Sequence, residues 1–154
     1  MRIKCENKRV KIAVIDSGVC ESSYVENNIL QSYVLVSDNN IYSLRPSKLV
    51  DYIGHGTAIT NIICKENNHV DILNFRVCDK ELCFNENGLV YILNYILNNV
   101  EVDIINISLG CIYLENYEEM NLICNKLSNK GIIIVSAFDN VVSDPFYLRS
   151  LYTL

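Results

Sequence analysis

From Val10 to Ile15 the chain reads VKIAVI, a short β-branched run closed by Asp16-Ser17-Gly18. A nearly continuous apolar run of this length suits a strand covered on both faces of a parallel sheet, and the residues that close it suit a turn. Tyr33 to Val36 is a second short strand. The stretch 37–52, with Asp38-Asn39-Asn40 and Pro46, reads as loop with room for a hairpin. The pattern then changes period. Ala58, Ile59, Ile62 and Ile63 fall on one face of a helix over His55 to Glu66, and Gly54 and Gly56 let the backbone enter it tightly.

Val70 to Val77 (VDILNFRV) returns to strand character after Asn67-Asn68. Behind the polar start Asn85-Glu86-Asn87, the residues Leu89, Ile92, Leu93, Ile96, Leu97 and Val100 form a helical stripe. Asp103 to Ser108 (DIINIS) is strand-like and closes on Leu109-Gly110. A third helix buries Met120, Ile123, Cys124 and Leu127. It has Glu115, Glu118 and Glu119 in its first turn and ends on Lys126, Lys130 and Gly131, the charge order that complements a helix dipole. Ile132 to Ala137 (IIIVSA) predicts a last buried strand. Strand and helix therefore alternate from about residue 50 onward. That order predicts an α/β fold, a three-layer sandwich on a mostly parallel central sheet. In such sheets ligands gather beyond the carboxyl ends of the strands, where Asp16, Ser108 to Gly110 and Asp139-Asn140 stand.

Composition narrows the function classes. Half of the 154 residues are apolar, which predicts one domain over residues 1–154 with no linker. Thirteen Lys and Arg against eighteen Asp and Glu give a net charge of −5, so the basic excess of a phosphate-neutralising surface is missing and no nucleic-acid partner is expected. Asp, Asn or Lys interrupts every apolar run before the roughly 20 residues of a bilayer span, so no membrane partner is expected either. Seven Cys, an odd number set mostly inside apolar periodic segments, speak for a reducing compartment. The charged start MRIKCENKR lacks a signal-peptide core, which makes the cytoplasm the expected location.

Individual residues are ambiguous on their own. Asp16 after a hydrophobic strand suits an orienting carboxylate, a metal ligand, a phospho-acceptor or the first residue of an Asx-turn. His55 stands at a helix start, where the positive end of the dipole favours a neutral ring fit for general-base work, but a plain loop histidine looks the same. Taken together, four segments are more specific. IAVIDSGV (Ile12 to Val19), GHGTAITNII (Gly54 to Ile63), INISLG (Ile105 to Gly110) and GIIIVSAFDN (Gly131 to Asn140) resemble, in this order, four segments of the subtilisin-like serine peptidases. The resemblance covers about residues 10 to 140. It implies that Asp16 orients His55, that His55 moves the proton of a serine hydroxyl, and that Asn140 donates to the oxyanion. It also implies that Ser108, Leu109 and Gly110 pair by their backbone with an extended polypeptide substrate.

The chain departs from that pattern in three places. Phe138-Asp139 precede Asn140 where Ala-Gly is usual, and Thr60 stands where a small apolar residue is usual. The third departure is larger. The nucleophile of these peptidases lies in a Gly-Thr-Ser segment downstream of the asparagine, yet the six glycines here are Gly18, Gly54, Gly56, Gly88, Gly110 and Gly131. The resemblance thus implies a peptidase domain incomplete at its C-terminus, inactive alone, with a separate C-terminal fragment carrying the serine as a partner. Ser17, Cys20 and Cys111 lie close enough to the motifs to be considered as substitutes. Metal sites are weakly supported. His55 and His69 are the only histidines, Cys78 and Cys83 have no partner pair for zinc, and calcium, common in relatives, has no recognisable loop, so no cofactor is expected. The alternative from another class is a non-catalytic α/β module that binds peptide in the same cleft. A phospho-acceptor role for Asp16 ranks below both, because Lys11 to Ile15 supplies no carboxylate to hold a divalent cation.

Overall fold

Nine elements follow one another in the computed structural model, which describes residues 8–22, 25, 27–78, 86–108 and 117–136. They are β1 (Val10–Asp16), β2 (Ile29–Asp38), β3 (Ile41–Pro46), α1 (His55–Glu66), β4 (Val70–Arg76), α2 (Glu86–Asn99), β5 (Ile104–Ile107), α3 (Tyr117–Asn129) and β6 (Ile133–Ser136). The six strands form one sheet in the order β3-β2-β4-β1-β5-β6. Every neighbouring pair is parallel except the β2–β3 hairpin. The fold is the α/β sandwich expected from the alternation of elements.

The central place of β1 explains its sequence. It pairs with β4 on one side and β5 on the other, with Ile12 level with both Ile72 and Ile104, and it is buried from Ile12 through Asp16. Both faces are covered, so both alternating sets of side chains must be apolar. On one face Ala13, Ile15, Leu73, Phe75, Ile105 and Ile107 meet the buried stripes of α2 and α3. On the other, Ile12, Val14, Val70 and Ile72 meet Cys64 of α1, flanked by Ile59 and Ile63. Helix, sheet and helix pair make the three layers. Phe75, fully buried on the α2 side, also stacks on Tyr33 with ring centroids 5.3 Å apart.

Three expectations are corrected. The strand expected over Tyr33 to Val36 is longer, from Ile29 to Asp38, and its hairpin partner β3 lies in the stretch read as loop with room for a hairpin. Its turn closes over Asn39 and Asn40 at φ 49° and 62°, the left-handed region that asparagine tolerates and that two-residue hairpins need. The strand was hard to read because β2 is only partly covered, so polar and apolar residues mix along it. Next, α1 turns Gly56, Thr60 and Cys64 to the sheet, leaving Ala58 exposed and Ile62 59% exposed. The reason is steric: a Cβ on Gly56 would sit 2.2 Å from the Gly18 carbonyl oxygen, so the helix approaches the sheet along its glycine side. Finally, the last strand is not buried. It ends the described sheet with Ile133 and Val135 60% and 46% exposed, because on that face the cluster under α1 reaches from β4 and β1 to Ile104 of β5 and includes no residue of β6.

Two substitutions test this packing. Phe75→Ala should lower the unfolding free energy in urea by about 3–5 kcal/mol, through lost transfer energy and the cavity left between β4 and α2. Thr60 is fully buried, and its hydroxyl has no hydrogen-bond partner among the described residues. Thr60→Val keeps the shape and removes that orphaned group, so it should raise stability by about 1 kcal/mol in the same measurement.

Candidate active site

The carboxyl end of β1 delivers Asp16 into the interior, where it is 0% exposed. A buried carboxylate must be hydrogen-bonded or it destabilises the fold by several kcal/mol. Asp16 meets that need locally and across the chain. Its Oδ1 accepts the Ser17 backbone N–H at 2.6 Å, and its two oxygens lie 2.8 and 3.0 Å from Nδ1 of His55, the first residue of α1. Such a contact to a carboxylate makes Nδ1 the protonated nitrogen of the neutral ring. Nε2 is then the acceptor on a side chain 43% exposed, and no described residue bonds to it.

Two glycines make this approach possible. Gly18 has φ 118°, which L-residues rarely adopt, and a Cβ there would lie 2.1 Å from the Val50 carbonyl oxygen. Gly56 lacks the Cβ that would strike the Gly18 backbone and press on Asp16. Ser17 between them is fully buried, and its hydroxyl accepts the Gly56 N–H at 3.0 Å. The start of α1 is therefore bonded to the turn that follows Asp16.

A residue not singled out in the sequence completes the arrangement. Asp51 accepts the N–H groups of Ile53 at 3.0 Å and Gly54 at 2.8 Å on Oδ1. On Oδ2 it accepts the Thr57 N–H at 2.9 Å and the Thr57 hydroxyl at 2.6 Å. Partial burial pushes its carboxyl up, but these hydrogen bonds together outweigh burial and hold it at about 2. The Thr57 oxygen in turn accepts the Cys20 N–H at 3.0 Å, and Gly18 forms a backbone bridge with Asp51. The available signal was an aspartate three residues ahead of a glycine at a helix entry, a common turn-former. It lay inside the stretch read as loop.

The other residues named in the sequence fall differently. Ser108 follows β5, half-buried, with its hydroxyl accepting Asn106 Nδ2 at 2.7 Å. Leu109, Gly110, Cys111 and Asn140 lie outside the described residues. Ser17 is enclosed and its oxygen is engaged, so it is not presented as a nucleophile. The Cys20 thiol donates to the Asp51 carbonyl at 3.5 Å. His55 is the first residue of α1 and His69 lies beyond its other end, so they do not form a ligand pair. What the geometry provides is an imidazole held by a buried carboxylate with its second nitrogen open, the arrangement of a general base that returns its proton as an acid.

Because the Asp51 carboxyl is held below its ordinary value of 3.8, its contribution to stability is complete above about pH 5 and lost as the pH falls towards about 2. With allowance for solvent screening that amounts to about 1 kcal/mol. Urea unfolding at a series of pH values should show an acid limb shallower by that amount in Asp51→Asn than in the wild type.

No curated protein matches the chain. The family model described as Subtilase family (Peptidase_S8) matches residues 7–148, a span that holds β1 with Asp16, α1 with His55 and the rest of the described sheet and helices. By that match over most of its length, the chain belongs to the subtilase family of serine peptidases.

Proposed function

We propose that this chain forms the aspartate–histidine part of a serine endopeptidase site acting on polypeptides, and that the site is completed by a serine from outside these 154 residues. The single observation behind the reading is the 2.8 Å contact of His55 Nδ1 with a fully buried Asp16. In this reading Nε2 takes the proton of the serine hydroxyl as its oxygen attacks the scissile carbonyl carbon. Asp16 steadies the imidazolium so formed, and the same nitrogen then gives the proton to the leaving amine. Asn140 donates to the oxyanion, and the backbone of Ser108, Leu109 and Gly110 pairs with the substrate strand. Water, deprotonated by the same nitrogen, then releases the acyl group and returns the serine hydroxyl, so all steps are proton and acyl transfers among protein groups, substrate and water, and no cofactor enters them.

Two observations support the need for a serine from outside these residues. No glycine follows Gly131, so the sequence holds no Gly-Thr-Ser segment beyond the third helix. The α1 side of the sheet also leaves Ile133 and Val135 uncovered, an apolar face suited to a further element on the same side as His55. Loss of the nucleophile from a triad of this family costs a factor of about 2 × 10⁶ in turnover. The 154-residue polypeptide alone should therefore be inert.

A fluorophosphonate probe tests this. The purified chain should not label. Adding a subtilase C-terminal fragment with a Gly-Thr-Ser segment should restore labelling of the fragment's serine, and Asp16→Asn should slow it by about 10⁴. Labelling of the chain by itself would overturn the inertness. Peptide binding without labelling, even with the fragment present, would favour the non-catalytic module.

A further inference from the structure

We propose that Asp51 is the positioning residue of the site: with Thr57 it ties the entrance of α1 to the turn after Asp16 and so holds the His55 ring in register with its carboxylate. The inference rests on the reading of Asp16 and His55 as a working pair.

His55 is flanked by Gly54 and Gly56, the residues with the greatest conformational freedom in the chain. Gly54 stands at the N-cap of α1 with φ 90°, offers no side-chain cap, and has no atom within 4 Å of where its Cβ would be. Packing therefore does not fix the backbone just before the histidine. Hydrogen bonds do. Asp51 takes the Gly54 N–H and the Ile53 N–H on one oxygen, immediately before His55. It takes both Thr57 donors on the other, immediately after it. The ring-bearing residue is spanned from both sides by one carboxylate.

The same residue reaches the other half of the pair. Its backbone bridges to Gly18, two residues beyond Asp16. The Thr57 hydroxyl gives its proton to Asp51 Oδ2 and accepts from the Cys20 N–H, which fixes the far end of the same turn. Asp51 thus contacts both segments that carry the pair without touching either of its side chains. All four partners of the carboxylate are donors, so an amide of identical shape cannot replace it. Whichever way Asn is turned, its NH₂ faces either Ile53 and Gly54 or Thr57, and one side of the clamp is lost.

The test reads the ring itself by nitrogen and proton NMR of the full chain at about pH 8, where an ordinary imidazole is neutral. A His69→Gln background leaves one histidine to observe. The reference chain should show His55 as the Nδ1–H tautomer, and Asp16→Asn should abolish that preference. Asp51→Asn, at a temperature where circular dichroism shows it folded, should lower the ratio of Nδ1–H to Nε2–H tautomer by about tenfold, the scale of one charge-assisted hydrogen bond. Thr57→Val should lower it in the same direction, and Thr57→Ser, which keeps the hydroxyl, should restore it. A purely structural residue would change the melting temperature and leave this ratio alone. If Asp51→Asn fails to fold, the Thr57 pair decides. A folded Asp51→Asn or Thr57→Val with the ratio within twofold of the reference would overturn the proposal while leaving the Asp16–His55 pair standing. A reference chain without the Nδ1–H preference would overturn the pair, and this inference with it.

Discussion

A carboxylate at the end of a central, buried strand needs partners before the fold can close over it. Asp16 is fully enclosed, and the groups that satisfy it come from its own turn and from a helix start nearly forty positions away. Much of the surrounding structure follows from that demand. The turn must pass close under the helix, so Gly18 and Gly56 have no side chains. Gly56 at the point of contact sets which side of α1 faces the sheet, and that choice decides where the helix provides cover. The arrangement that stabilises a buried charge is the same one that leaves a ring nitrogen open to solvent.

The sheet and its helices were legible because each buried surface writes its own period into the sequence. The run from Val10 to Ile15 could hardly be anything but a strand covered twice, and the stripes of α2 and α3 lie where Leu89 to Ile96 and Met120 to Leu127 placed them. Reading failed where tertiary contact overrode periodicity. Ile62 belongs to an apolar set that would normally mark a buried face, yet a single glycine-to-backbone contact rotates it outward. Ile133 and Val135 are as apolar as any core strand, and no local feature says that the covering helix ends one strand earlier. The pairing of residues 16 and 55 was reachable only through the family motifs, because composition and spacing alone leave an aspartate in a turn and a histidine at a helix start.

Asp51 shows a different limit. Its carboxylate is shaped by donors that are mostly backbone N–H groups, which every sequence contains and no pattern distinguishes. Such a residue emerges only when the chain is folded and its donors can be counted. The same holds for Asp103, whose carboxyl is drawn down first by the Lys11 backbone N–H, against some opposing burial, with help from Lys8 and Lys11 charges. Both residues use one acceptor to hold separate stretches of chain together.

The register of β1 also carries a consequence for how the molecule assembles. Ile12 lies beside Ile104 and Ile72, residues made long after it as the polypeptide leaves the ribosome. Parallel neighbours so distant along the chain must close large loops before any pairing is rewarded. The strand that ends in Asp16 thus has no neighbour until β4 has been made and gains its second only with β5, so its apolar run stays exposed to wrong partners in the interval.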